Sequence, residues 1–197
     1  TEIYTLSLHD ALPIFLSLAR ETVTTRLHGR QPSETAGENH RCAGAIRGCG
    51  AFVTIHISTP GQGRRLRGCI GRMTSSEPLD TLIVTMAASA AFEDPRFRPV
   101  TMDELSALDV EISVLTPMAQ CGPDDIVPGR HGVYLVKGWA SAVFLPQVAT
   151  EQGWNRQTLL EQLCIKGGMS PSSWEEPGAT LYSFEAEVFG ELDTIPD

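Results

Sequence analysis

The ten residues Gly63–Arg72 carry the densest set of reactive and charged groups in the sequence. They read GRRLRGCIGR, which places four arginines and three glycines around a single cysteine, Cys69. A guanidinium beside a thiol stabilises the thiolate, the form that attacks electrophiles and binds metals. The segment therefore predicts a reactive thiol or a site for an anionic ligand. The alternative is a small buried cysteine at a solvated strand end.

The alternation of a β-strand decides which of these side chains share a face. Residues two apart point to the same side, so Arg67 and Cys69 are predicted to project together. Gly68 and Gly71 allow a ligand or another backbone to approach closely. Arg67 could instead pair with Glu111, because the predicted strand DVEISVLT turns that carboxylate to its polar face. The motif alone leaves both interpretations open.

Three further residues could act with this motif. His56 lies on the partner strand of a predicted hairpin and is the candidate base for Cys69, or else a satisfied core or edge histidine. Asp94 and Arg96 follow a predicted helix in the sequence DPRF, where they would present a charged pair. The alternative for Asp94 is a cap and turn that ends the helix.

Two more candidates lie toward the C-terminus. Gln147 follows Pro146, which ends a predicted strand, so Gln147 would face whatever lies beyond that strand. Lys166 stands near a helix end and could activate Cys164 as a second thiol. Because Cys164 falls on the apolar stripe of that helix, core packing is the favoured interpretation for it.

Hydrophobic periodicity predicts the elements that must position these residues. Their order is helix, hairpin, helix, strand, hairpin, helix, strand, which indicates an α+β fold of mostly antiparallel sheet with flanking helices. In sequence these are residues 15–28, AFVTIHI with LRGCIG, a helix from Pro78 to Asp94, DVEISVLT, HGVYLVKG with SAVFLPQV, a helix capped by Asn155, and LYSFEAEVF.

Composition excludes several classes of function. The formal net charge of −9 disfavours nucleic acid and anionic membranes as partners of the whole surface. No apolar run approaches the ~20 residues that a membrane span requires. The five cysteines are odd in number and scattered, which predicts a reducing cytoplasm rather than a disulfide scaffold. The spacing of His40, Cys42 and Cys49 matches no zinc pattern, so we predict no metal site there.

The first residues, TEIYTLSLHDALPI, match the in-frame translation of a common sequencing-adapter oligonucleotide. We therefore expect residues 1–14 to be an artefact and set them aside from function. Residues 15–193 are then predicted to form a single domain, and residues 194–197 a C-terminal tail. On this interpretation the native N-terminus, with any domain fused upstream, is missing.

Eight blocks in this order closely resemble the AMMECR domain family, the AmmeMemoRadiSam system protein A type. The resemblance runs from Leu16 to Glu191, and LRGCIG is the hallmark of that family. The blocks are GAFVTIH, LRGCIG, AAFEDPRF, LDVEISVLTP, GRHGVYL, FLPQVATEQGW, LCIKGG and FEAEVFGE.

The resemblance implies an α+β fold with a larger lobe plus a smaller lobe around a cleft that holds the hallmark residues. It also implies a Memo-type protein and a radical SAM enzyme as partners. The residues that match the family pattern are Arg67, Gly68, Cys69, Ile70, Gly71, Asp94, Pro95, Arg96, Phe97, Glu111, Pro146, Gln147, Cys164 and Lys166.

Two functions follow from these residues. The first is a cysteine-dependent enzyme or protein-modification component, with Cys69 as nucleophile or thiol ligand, Arg67 holding thiolate or an anionic group, and His56 as base. The second is a non-catalytic binding module for an acidic or phosphorylated ligand or RNA. Net acidity and the lack of an aromatic platform in the motif argue against RNA. The residues do not identify a cofactor.

Overall fold

The computed structural model describes residues 8–30, 46–59, 61 and 63–194. These residues form helices and two four-stranded sheets, which confirms the predicted α+β class. The elements are α1 Leu8–Leu27, β1 Gly50–Thr59, β2 Gly63–Arg72, α2 Leu79–Phe92, β3 Leu108–Leu115, β4 Ala119–Cys121, β5 Gly132–Lys137, β6 Ala140–Phe144, α3 Pro146–Gln152, α4 Arg156–Lys166, β7 Ala179–Phe184 and β8 Ala186–Gly190.

The chain divides into two compact units. The first comprises Thr1–Leu115 and Glu187–Asp197, and the second comprises Thr116–Ala186. The first unit contains the sheet of order β2-β1-β3-β8, and the second contains the sheet of order β4-β7-β5-β6. The predicted hairpins are both present, because β1 pairs antiparallel with β2 and β5 pairs antiparallel with β6.

One face of the first sheet forms the core of the first unit. Along β1, the alternate residues Ala51, Val53 and Ile55 are fully buried. They pack with apolar residues of α1, α2 and β3. Because only one face of each element meets this core, apolar residues recur at every second position in the strands and along one side of each helix. Thr54 and His56, which alternate with these buried residues, lie on the opposite face of the sheet.

Helix α2 packs directly on the backbone of β2. The side chains of Leu82, Ile83 and Ala87 are fully buried, as the apolar stripe predicts. At Gly68, an added Cβ would lie 2.1 Å from the carbonyl oxygen of Ala90 in the last turn of α2. No residue larger than glycine fits between this strand and this helix at their present distance.

Helix α1 begins earlier than periodicity predicted. It runs over Leu8–Leu27 and so includes part of the segment expected to be adapter-derived. Ala11 is fully buried, four residues before the fully buried Phe15, so the apolar stripe of the helix continues upstream. The origin of residues 1–14 stays a prediction.

The second unit has its own core. Leu159, Leu160, Leu163 and Cys164 of α4 are buried in it with residues of β5, β6 and β7. As predicted, Asn155 caps α4, since its side chain accepts a hydrogen bond from the backbone N–H of Thr158 at 2.9 Å.

The predicted strand LYSFEAEVF is two strands in two sheets. The strand is interrupted at Glu185, between β7 and β8. There the carbonyl oxygen of Glu185 accepts from the backbone N–H of Thr116, and its own N–H donates to Thr116 Oγ1, both at 2.9 Å. The interruption shifts the alternation of buried residues, so Phe189 is buried and Val188 is exposed, whereas the alternation of one unbroken strand would place Val188 on the same face as Phe184. Across the described ranges, no helix combines the length and the apolar character needed to cross a membrane.

Gly68→Ala tests the contact between β2 and α2. We expect it to lower the free energy of unfolding by roughly 2–3 kcal/mol, because the new methyl group meets backbone rather than a movable side chain. Urea unfolding measures the change. The matched control is Gly122→Ala, where the new Cβ meets only the Asp125 carboxylate at 3.3 Å. Equal midpoints for the two variants would contradict the packing described here.

Candidate functional site

The register of β1 and β2 places Cys69 on the polar face of the first sheet. Cys69 lies directly opposite Thr54, and Gly68 lies opposite Ile55. A bulge follows, because the next pair is His56 with Leu66, so Arg67 is an extra residue without a partner in β1. The two-residue alternation that predicted a common face for Arg67 and Cys69 is interrupted at Arg67 itself.

We call the polar side of this sheet the Cys69 face. Directly opposite residues in neighbouring strands share a face. Thr54 lies opposite Cys69 on one side and Glu111 on the other, and His56 lies opposite Asp109. The Cys69 face is therefore defined by Thr54, His56, Cys69, Asp109 and Glu111.

Three atoms of Cys69 are held by neighbouring residues. Its backbone N–H donates to Asp94 Oδ2 at 2.9 Å, and its carbonyl oxygen accepts from Arg96 Nη2 at 3.1 Å. Its Sγ accepts a hydrogen bond from Thr54 Oγ1 at 3.2 Å. Because β2 is the outermost strand of its sheet, Asp94 and Arg96 take the place that another strand would occupy at this residue.

Asp94 is the fixed charge of this arrangement. Its side chain is only 2% exposed, and it binds the Nε and Nη2 atoms of Arg96 at 3.0 and 2.7 Å. The hydrogen bonds from Arg96 hold the pKa of Asp94 well below its usual range, helped by the backbone N–H of Cys69 and opposed by burial. The helix α2 ends at Phe92 with Glu93 as its C-cap, so Asp94 lies just beyond the helix, and its side chain binds the motif.

The guanidinium of Arg67 is committed elsewhere. It binds both carboxylate oxygens of Glu104, at 2.7 and 3.0 Å, and the carbonyl oxygens of Arg98 and Pro99 at 2.8 and 3.2 Å. These hydrogen bonds lower the pKa of Glu104. The arginine that binds the Cys69 residue is therefore Arg96, whereas Arg67 attaches β2 to the segment after α2.

Glu111 binds Arg64 rather than Arg67, the arginine predicted as its alternative partner. Arg64 binds Glu111 Oε2 at 2.9 Å and Asp109 Oδ2 at 2.6 Å, so its side chain crosses from β2 to β3. The arginines of the motif are thus largely paired with carboxylates. Among the described residues, Arg65 is exposed and forms no ion pair.

His56 lies on the Cys69 face, two residues after Thr54 in strand β1. Burial lowers the pKa of His56, and Arg64 lowers it further, against the opposing effect of Glu111 and Asp109. The imidazole is therefore neutral at neutral pH and has a nitrogen that can accept a proton. This is the state that a general base requires.

The two candidate glycines serve close packing. Gly68 accommodates the carbonyl of Ala90, and Gly71 accommodates the ring of Phe52, whose Cγ would lie 2.2 Å from an added Cβ. The glycines were predicted to allow the close approach of either a ligand or another part of the protein, and at both positions the structure shows another part of the protein.

Gln147 and Lys166 belong to the second unit. Gln147 is in the first turn of α3, after Pro146. Lys166 donates to the carbonyl of Val143 at 2.8 Å, and its Nζ lies 4.5 Å from the centre of the Phe144 ring. Cys164 is fully buried, and burial raises its pKa, in agreement with the packing interpretation. His40 and Cys42 lie outside the described residues.

Thr54, Glu104 and Asp109 were not among the predicted site residues, and Arg64 was predicted only as part of the basic surroundings of the motif, not as the partner of Asp109 and Glu111. Two of them carried a usable signal. Thr54 alternates with the buried residues of AFVTIHI, and Asp109 precedes Glu111 by two in DVEISVLT, so both belong to the polar face. Arg64 and Glu104 carried none, because their partners are set by the bulge and by the fold of the segment after α2.

Asp94→Asn tests the hold on Cys69. Because the pKa of Asp94 is depressed in the folded state, its charge stabilises the fold fully above the ordinary aspartate pKa of ~3.9, and this contribution is lost as the pH falls further. At pH 7 we expect Asp94→Asn to lower the free energy of unfolding by about 2 kcal/mol. The difference from wild type should shrink below pH 4.

Urea unfolding between pH 2.5 and 7 gives this difference. The control is Glu77→Gln, which removes the exposed pair with Arg72 and should change stability by less than about 1 kcal/mol. A loss in Asp94→Asn that is the same at pH 3 and pH 7 would argue against a charged Asp94.

Comparison with known proteins identifies the family. The AMMECR1 family model matches residues 16–189. A protein of Thermococcus gammatolerans is 42% identical over 148 residues, which cover 72% of this chain and 72% of the relative. Protein MJ0810 of Methanocaldococcus jannaschii is 38% identical over 154 residues, covering 75% of this chain and 74% of the relative.

A solved structure agrees with the sequence matches. The crystal structure of the uncharacterized protein PH0010 from Pyrococcus horikoshii is similar with a TM-score of 0.73 and 35% sequence identity, over 90% of this chain and 89% of that one. With a match of sequence and of fold over most of its length, the chain belongs to the AMMECR1 family.

Proposed function

We propose that the protein acts through the thiol of Cys69, as a nucleophile or thiol ligand in a modification reaction. The observation that supports this most is the threefold hold on Cys69, at its N–H, its carbonyl oxygen and its sulfur. These three hydrogen bonds fix the backbone and the sulfur of a half-buried cysteine, so an electrophile would meet the sulfur in one orientation.

The surrounding residues have separable tasks in this proposal. Thr54 donates to the sulfur and would stabilise negative charge that develops on it. His56 is the candidate base, since it is neutral and lies on the same face. Asp94 and Arg96 fix the backbone of Cys69, and Arg67 fixes the strand through Glu104.

The charges favour this function over a binding module for acidic ligands or RNA. A phosphate or carboxylate ligand needs arginines with free donors. Arg64, Arg67 and Arg96 are bound by Asp109, Glu104 and Asp94 in turn, which neutralises most of the positive charge that such a ligand would use, and Arg65 is the one motif arginine without an ion pair among the described residues. The net charge of −9 adds repulsion at longer range.

A Memo-type protein and a radical SAM enzyme are the proposed partners. This part of the proposal is supported by membership in the AMMECR1 family together with the sequence resemblance. In such a set, Cys69 would accept or present a group that a partner generates.

Covalent trapping tests the thiol. We expect a panel of electrophiles, namely iodoacetamide, an acrylamide and an aldehyde, to form its first adduct at Cys69, with peptide mass spectrometry locating the site. Thr54→Val should slow the reaction about tenfold, since a hydrogen bond to a charged group contributes ~1.5 kcal/mol. Cys69→Ser should abolish that adduct.

The matched control is Cys164→Ser, which removes a fully buried thiol and should leave the Cys69 adduct unchanged. A first adduct that persists in Cys69→Ser, or one that forms equally fast at every cysteine, would refute a special role for Cys69. Tight binding of a phosphopeptide or RNA that weakens steeply with salt would instead favour the binding module.

A further inference from the structure

Two buried polar atoms on the Cys69 face lack a partner. Neither His56 Nδ1 nor Asp109 Oδ1 has a hydrogen-bond partner among the described residues, and both atoms are closed to solvent. Such groups are almost always paired in native proteins. His56 and Asp109 lie directly opposite each other on β1 and β3, so the two unpaired atoms belong to facing residues.

The ion pair with Arg64 makes the Asp109 carboxylate a hydrogen-bond acceptor. The side chain of Asp109 is 6% exposed, and its other oxygen, Oδ2, binds Arg64 Nε at 2.6 Å. Arg64 also binds Glu111, which fixes the guanidinium between the two carboxylates. An ion-paired carboxylate only accepts hydrogen bonds, so the donor in any pairing with Oδ1 must be His56.

We propose that His56 carries its proton on Nδ1 and that a rotation of the two facing side chains, which are not hydrogen-bonded to each other in their present rotamers, lets it donate this proton to Asp109 Oδ1. A neutral imidazole has one donor and one acceptor nitrogen, and the hydrogen bond made by the first fixes the role of the second. Nε2 is then the acceptor. Asp109 is a positioning residue that sets the tautomer of His56, with Arg64 holding the carboxylate in place.

The catalytic consequence rests on the proposed function. A base that takes the Cys69 proton needs an unprotonated ring nitrogen, and this tautomer provides it at Nε2. Without Asp109, the proton would be free to occupy Nε2 and His56 could not accept another there. The tautomer itself does not depend on whether Cys69 reacts, so the two claims can fail separately.

Long-range ¹H–¹⁵N NMR of the ¹⁵N-labelled full chain reads the tautomer directly. His56→Gln assigns the His56 signals among the five histidines. At neutral pH we expect a protonated Nδ1 and a bare Nε2 in the wild type. Asp109→Asn should shift the proton toward Nε2. Glu111→Gln, which also loses a bond to Arg64 but faces Thr54 rather than His56, should leave the tautomer unchanged.

A wild-type His56 protonated at Nε2 would overturn the proposal, as would an Asp109→Asn spectrum identical to that of the wild type. If Asp109→Asn does not fold, the wild-type spectrum alone still decides. A protonated Nδ1 in a chain whose Cys69 forms no adduct supports the tautomer and overturns the proposed function. A protonated Nε2 beside a reactive Cys69 overturns the tautomer and leaves the proposed function standing.

Discussion

The close packing of α2 on the backbone of β2 is the constraint on which the site depends. Because Gly68 has no side chain, the last turn of the helix reaches the strand at Ala90. The helix ends at Phe92, and two residues later Asp94 reaches the N–H of Cys69. The length of the helix and the absence of one side chain thus place a buried carboxylate at the outermost strand, beside the thiol of the motif.

Ion pairs with carboxylates neutralise most of the arginines of the motif. A stretch with four arginines suggests a basic surface, yet in the described structure three of them, Arg64, Arg67 and Arg72, are each bound to at least one carboxylate, as is Arg96. These pairs join β2 to β3 and to the segments on either side of α2. The arginines fix the strand and its sulfur, and the Cys69 face keeps a polar but nearly neutralised surface.

Sequence periodicity predicted most of the elements and the importance of Cys69, because alternation and helical spacing are local properties. The partner of each arginine was not predictable. The bulge at Arg67 redirects its side chain to Glu104, a residue 37 positions away. The split at Glu185 was missed because LYSFEAEVF keeps its apolar character across the break, and only pairing with two different sheets reveals it.

Native-state hydrogen exchange at the Cys69 amide tests the hold of Asp94 most directly. If the carboxylate closes the strand at this residue, the Cys69 N–H should exchange as slowly as the amide of Val53 in the neighbouring strand, although β2 is outermost in its sheet. Exchange at the rate of an unprotected amide would contradict this, and would mean that Cys69 lies on an open strand whose thiol is not held in place.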